Sequence, residues 1–91
     1  MKTLEQALKK LIIDLGIENK VLYYQAINFW PEVVGKRIAK ISKAERIERN
    51  ILFVKVLNDA WRNELIYLKK EIVERLNKKI GKKIVEDIRL Y

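Results

Sequence analysis

The side chains in this chain that could act on another molecule are cations. Glu5, Glu32, Glu71 and Glu74 each stand four residues before a basic residue, respectively Lys9, Lys36, Arg75 and Lys78. At that helical spacing opposite charges neutralise each other locally. Setting these pairs aside leaves the excess in three places: Arg37, Lys40 and Lys43, then Lys69 and Lys70, then Lys79, Lys82 and Lys83. Clustered ammonium and guanidinium groups release condensed counterions when they meet a polyanion, so the chemistry on offer is phosphate neutralisation. Residues 61–91 hold nine basic and five acidic residues, half of the net charge of +8. The competing reading of the same lysines is a solvated, solubilising surface.

Other chemistry is scarce. The chain contains no cysteine and no histidine, which removes disulfides, zinc sites of the usual kind, thiol nucleophiles and the commonest general base. The expectation is a non-enzymatic protein with no metal, cofactor or small-molecule substrate. Glu86 and Asp87 are adjacent in a strand pattern, point to opposite faces and make no carboxylate pair. Phe53 is the candidate for base stacking or partner contact, because it falls opposite Leu52, Val54 and Val56 on an alternating segment. Trp61 begins a helical apolar stripe and Trp30 ends one, so both are assigned to the core. No apolar run approaches the roughly 20 residues of a membrane span, and the N-terminus lacks a signal-peptide core. The expectation is a cytoplasmic, nucleoid-associated protein with no membrane partner.

The elements that must position these residues are organised around Ile51–Ile80. Leu52, Val54 and Val56 alternate with a second face up to Leu57, a strand period, whereas Trp61, Leu65, Leu68, Ile72, Leu76 and Ile80 recur at helical spacing. Asn58 caps the junction and Asp59 sits at the positive end of the helix dipole. Upstream, Thr3 and Gln6 have capping-box spacing, with Leu4, Leu8, Leu11 and Leu15 as a buried stripe and Gly16 as the stop. A second helix runs from Asn19 to Trp30, Pro31 bends the chain into a continuation through Ile41, and Gly35 implies close packing. Lys43–Glu48 and Ile51–Leu57 form a hairpin turning at Arg49-Asn50, with Ile47 anchoring a charged edge strand. Gly81 ends the long helix, which either continues unbroken or breaks near Tyr67–Lys70, and Ile84–Tyr91 reads as a third strand. The result is one α+β domain over residues 1–91, ordered ααββαβ, with a small three-stranded sheet and helices on one face. Its radius of gyration from size scaling is roughly 12 Å.

Taken in order, Trp30-Pro31-Glu32-Val33-Val34-Gly35 with Ile38-Ala39, Leu52–Val56, Ala60-Trp61-Arg62-Asn63-Glu64-Leu65, Leu76-Asn77 and Val85–Arg89 resemble the DciA family. That resemblance implies a KH-like fold, contact with single- or double-stranded DNA, and a DnaB-type replicative helicase as partner, hence a helicase-loading role in DNA replication. Two departures stand against simple transfer. Neither Gly35-Lys36-Arg37-Ile38 nor Gly81-Lys82-Lys83-Ile84 supplies the Gly-x-x-Gly loop with which KH domains clamp a nucleic-acid backbone. Many family members also carry an extension beyond this domain, whereas this chain ends at Tyr91. The alternatives are a protein–protein adaptor or an RNA-binding KH-like module with incidental charge.

Overall fold

A computed structural model describes residues 3–14 and 18–91. The elements are α1 (Leu4–Asp14), α2 (Glu18–Val34), α3 (Lys36–Ile41), β1 (Ser42–Glu48), β2 (Ile51–Val56), α4 (Asp59–Ile66), α5 (Lys69–Ile80) and β3 (Asp87–Leu90). The sheet order is β1-β2-β3, with β2 antiparallel to β1 and parallel to β3. This is an α+β domain with a small mixed sheet, and the strand assigned to the centre is central.

One face of the sheet carries the core. Leu52, Val54 and Val56 are buried with Ala44 and Ile47 of β1 and Ile88 of β3, against Ala26 and Trp30 of α2 and Leu65, Ile72 and Leu76 of α4 and α5. Trp30 is fully enclosed, its indole Nε1 donating to Ser42 Oγ at 3.0 Å, and Ser42 in turn donating to the carbonyl of Ile38. The buried polar ring atom is thereby satisfied, as a core tryptophan requires. Trp61 is half-buried and packs on the periphery of the same core.

The caps read from sequence form as expected. Thr3 and Gln6 exchange backbone-to-side-chain bonds of 3.1 Å, Asn58 Oδ1 accepts from the Trp61 amide at 2.9 Å, and Gly81 ends α5 in the left-handed region at φ 86°. Gly16 and Leu15 lie outside the described residues. The hairpin turn places both Arg49 (φ 52°) and Asn50 (φ 65°) in left-handed conformations, the geometry whose twist matches flanking strands. Asn50 ties this turn to both layers: its side chain accepts from Tyr23 Oη of α2 and its carbonyl accepts from the Glu86 amide at 2.8 Å.

Several expectations are corrected. No new helix starts at Pro31. Helix α2 runs through Pro31, whose ring removes one donor but has a helical φ, and the break falls at Gly35 with φ 87° and ψ 165°. That backbone conformation is accessible essentially to glycine alone. Close packing is not the reason for Gly35, since a Cβ there would meet nothing within 4 Å. Of the two readings left open for the C-terminal helix, the break is the one found, at Tyr67-Leu68, and β3 runs parallel to β2. The third strand is shorter than expected: Ile84 and Val85 are buried in the loop before it, and ladder pairing starts at Asp87. Leu4, Leu8 and Leu11 of α1 are 80%, 51% and 53% exposed rather than buried. The helix-covered face of the sheet is already filled by α2 and α5, and α1 is not folded onto it. The molecule is correspondingly elongated, 54 × 24 × 18 Å with a radius of gyration of 14.9 Å.

Candidate nucleic-acid interface

Among the described residues no helix covers the opposite face of the sheet, where Lys43, Arg46, Lys55 and Arg89 are exposed. Strand pairing sets its side chains in transverse rows, because residues directly opposite on neighbouring strands share a face. Phe53 of β2 is in register with Arg46 of β1 and with Arg89 of β3. Lys55 is in register with Lys43, and both are exposed. The parallel ladder continues past Leu90, since Tyr91 donates to the Val54 carbonyl at 3.0 Å and accepts from Val56 at 2.7 Å. Alternation from the buried Ile88 puts Tyr91 on the open face beside Lys55. Ile51, beside Glu48 and Asp87, forms the row nearest the hairpin turn.

The middle row is held together by cation–π contacts. The guanidinium carbons of Arg46 and Arg89 lie 4.2 Å and 5.9 Å from the Phe53 ring centroid, within the range where the ring quadrupole attracts a cation. Arg46 reaches this position because of a β-bulge. The register shifts by one between Ala44 and Arg46, leaving Glu45 without a partner. The extra residue lets both Ala44 and Ile47, three apart, face the core, and it turns Arg46 to the open side. Arg46 also donates through Nε to Glu48 at 3.1 Å.

The three sequence clusters fare differently. Lys40 and Lys43 come together with Lys55 around a shallow depression of about 280 Å³ that no carboxylate lines. Arg37 precedes Lys40 by one helical turn and stacks on Trp61, 5.2 Å from its ring centroid. Lys69 and Lys70 at the start of α5 meet Lys83 across a groove of about 560 Å³, but Glu74, Glu86 and Asp87 line it too. Among the described residues no carboxylate is within ion-pair distance of those three lysines, yet the groove as a whole is charge-balanced. Lys82 is exposed beside this groove. Lys79 was counted with the unpaired cations, and the structure ties it down: its Nζ is 2.6 Å from Glu32 and 5.2 Å from the Phe29 ring centroid. Glu32 therefore serves Lys79 of α5, where its spacing had suggested Lys36. Of the remaining helical pairs, Glu71–Arg75 forms at 2.6 Å.

Residues that sequence reasoning passed over are Lys55, Arg46, Arg89 and Asn77. Lys55 could have been found, because alternation puts it on the face of Phe53. Arg46 depends on the bulge and Arg89 on the β3 register, and neither is encoded in local periodicity. Asn77 was visible only as part of a motif. Its Oδ1 accepts from the amides of Ile84 and Val85 at 3.0 and 2.9 Å and its Nδ2 donates to the Val85 carbonyl at 2.8 Å. One side chain thus satisfies three backbone groups in the buried loop that delivers Arg89 and Tyr91 to the open face.

No described group of histidine, cysteine, aspartate and glutamate residues could hold a metal ion, and no helix among the described residues is long and apolar enough to cross a membrane. Among the described residues, then, the distinctive surface of this small mixed-sheet domain is the open sheet face that carries Lys43, Arg46, Lys55 and Arg89.

The comparisons place this domain more closely. A family model described as Dna[CI] antecedent, DciA, matches residues 3–90, and the chain belongs to the DciA family. Relatives carry the description UPF0232 protein. One from Streptomyces coelicolor is 32% identical over 80 residues, 86% of this chain and 42% of the relative. Another, from Corynebacterium glutamicum, is 29% identical over 62 residues, 68% of this chain and 35% of the relative. A third, from Streptomyces avermitilis, is 29% identical over 77 residues, 82% of this chain and 42% of the relative. The chain thus spans about two fifths of the length of these relatives.

Proposed function

We propose that this domain is a non-enzymatic accessory factor of chromosome replication that binds DNA and engages a DnaB-type replicative helicase to promote its loading. The observation that carries the reading is family membership over residues 3–90. The surface supports its DNA half: Lys40, Lys43 and Lys55 converge without an opposing carboxylate, and Lys82 and Lys83 stand exposed at the end of α5. Such groups bind phosphate through counterion release, without sequence preference. A KH-like relation fits the helices gathered on one side of three strands. The missing second glycine means that lysine side chains do the work of a backbone clamp.

The test is capture of a hexameric replicative helicase by the purified chain, with and without nuclease treatment, for the wild type and for Lys82→Glu/Lys83→Glu. The proposal expects capture that survives nuclease, and a double variant that keeps the helicase while its DNA affinity falls. No capture under either condition removes the helicase half, and unchanged DNA affinity in the variant removes those lysines from the interface. A second reading, a protein adaptor with incidental charge, is favoured by the exposed Leu4, Leu8 and Leu11 of α1. It expects helicase capture that Leu8→Gln abolishes, and no DNA binding at low salt.

A further inference from the structure

The lysine clusters explain attraction to any nucleic acid, but the open sheet face has a feature that duplex binding does not need. Phe53 stands at its centre, half-buried, with a guanidinium over its ring from each flanking strand. The next row, Lys43, Lys55 and Tyr91, adds two cations and a second aromatic side chain, and Tyr91 is 41% exposed. The rows lie about 7 Å apart along the strands, and three strands span about 10 Å. Two successive rows therefore form a flat patch on the scale of a short run of nucleotides. Neither row contains a carboxylate. The acidic residues Glu48 and Asp87 are confined to the row beside the hairpin turn, so positive charge increases away from the turn, toward Lys40 of the adjoining depression. The bulged Glu45 is exposed on the edge strand and is the nearest unpaired carboxylate in sequence.

We infer that this open face is a stacking platform for single-stranded DNA, in which the stack of Phe53 with Arg46 and Arg89 receives a base while Lys43 and Lys55 hold the adjoining phosphates. The inference rests on the proposed DNA binding and adds the form of DNA and the surface that selects it. Stacking requires an unpaired base, because in a duplex the faces of the bases are already covered by their neighbours; phosphate contacts alone do not discriminate in this way. A sheet face with exposed aromatic side chains is a known solution to single-strand binding in other folds. Here the guanidiniums do two jobs. Lying over the ring, a guanidinium offers a base its own outer face as a continuation of the stack, and the terminal nitrogens of Arg46, which bonds Glu48 through Nε alone, remain for a phosphate oxygen. Charge complementarity selects a polyanion as occupant, and the aromatic row selects one with free π-faces.

The experiment is fluorescence anisotropy with three probes of 20 units: labelled oligo-dT, a duplex, and oligo-U. Each is titrated with the wild type, Phe53→Ala, Phe53→Leu, Phe53→Trp and Lys82→Glu/Lys83→Glu, after thermal melts confirm folding. Phe53→Ala and Phe53→Leu are expected to weaken oligo-dT binding about tenfold and duplex binding by less than twofold. Phe53→Trp is expected to keep oligo-dT affinity and to show tryptophan quenching on binding. Leucine preserves the apolar bulk, so it keeps the test valid where alanine fails to fold. Equal loss on both DNA probes, or no loss on either, overturns the platform while leaving DNA binding in place. Wild-type protein that binds none of the probes at low salt overturns both the platform and the proposed function. Oligo-U bound tenfold more tightly than oligo-dT overturns DNA as the occupant in favour of RNA.

Discussion

The two faces of the sheet are built from the same three strands and obey opposite rules. On the inner face Leu52, Val54, Val56, Ala44, Ile47 and Ile88 are buried, and their role ends with packing. On the outer face, one residue along each strand, Arg46, Phe53, Arg89, Lys43 and Lys55 are exposed or half-buried, with no element among the described residues covering them. Strand alternation lets a 91-residue chain spend one face on stability and keep the other for a partner, at the cost of a sheet edge and a face that only charge protects from self-association. Substitutions should therefore separate cleanly into those that unfold the domain and those that leave it folded and unable to bind.

The largest effect is expected at Leu52→Ala. A fully enclosed leucine on the central strand loses its transfer energy and leaves a cavity, about 3–4 kcal/mol by chemical denaturation. Lys55→Ala, on the same strand but the other face, should change stability by less than about 0.5 kcal/mol while lowering DNA affinity. If the two stability effects are similar, the division of labour between faces is wrong.

Asn77→Ala comes next, at about 2–3 kcal/mol, because two amides and a carbonyl lose their partner in a buried loop. Asn77→Asp keeps the acceptor for Ile84 and Val85 and should lose about half as much. This variant sharpens the comparison, since a loosened loop also displaces β3 and with it Arg89.

Gly35→Ala should cost about 1–2 kcal/mol through backbone strain alone, because the space around it is empty and only its positive φ forbids a side chain. Leu8→Gln should be the smallest, within about 0.5 kcal/mol, because α1 contributes its leucines to no core. A loss of 2 kcal/mol or more there would mean that α1 docks on the domain in solution.

How much of this was legible in the sequence follows from the range of the interactions. Local signals read well: the Thr3–Gln6 and Asn58 caps, the Arg49-Asn50 turn, the change of period at Asn58 and the alternation of β2 all depend on neighbours within a few residues. Trp30 as core and Phe53 as an open-face residue followed from the same periodicities. What failed was non-local. The burial of Leu4, Leu8 and Leu11 was inferred from an amphipathic pattern, which states that a helix can pack and not that it does. Pro31 was treated as the bend because proline is the stronger local breaker, yet Gly35 is where the tertiary structure needs a conformation only glycine reaches. Lys79 looked free until α5 packed against α2 and brought Glu32 to it. The Arg46–Phe53–Arg89 row needed both a bulge and a parallel register, two facts that exist only after the strands have paired.

The most direct test of the account is the salt dependence of affinity for a 20-nucleotide single strand, measured with the wild-type domain. Electrostatic grip predicts that the logarithm of the association constant falls linearly with the logarithm of salt concentration, with a slope of about −3 for the four phosphates neutralised by Lys43, Arg46, Lys55 and Arg89, and steeper, to about −5, with Lys40, Lys82 and Lys83 engaged as well. An affinity that stays flat across that range would contradict it.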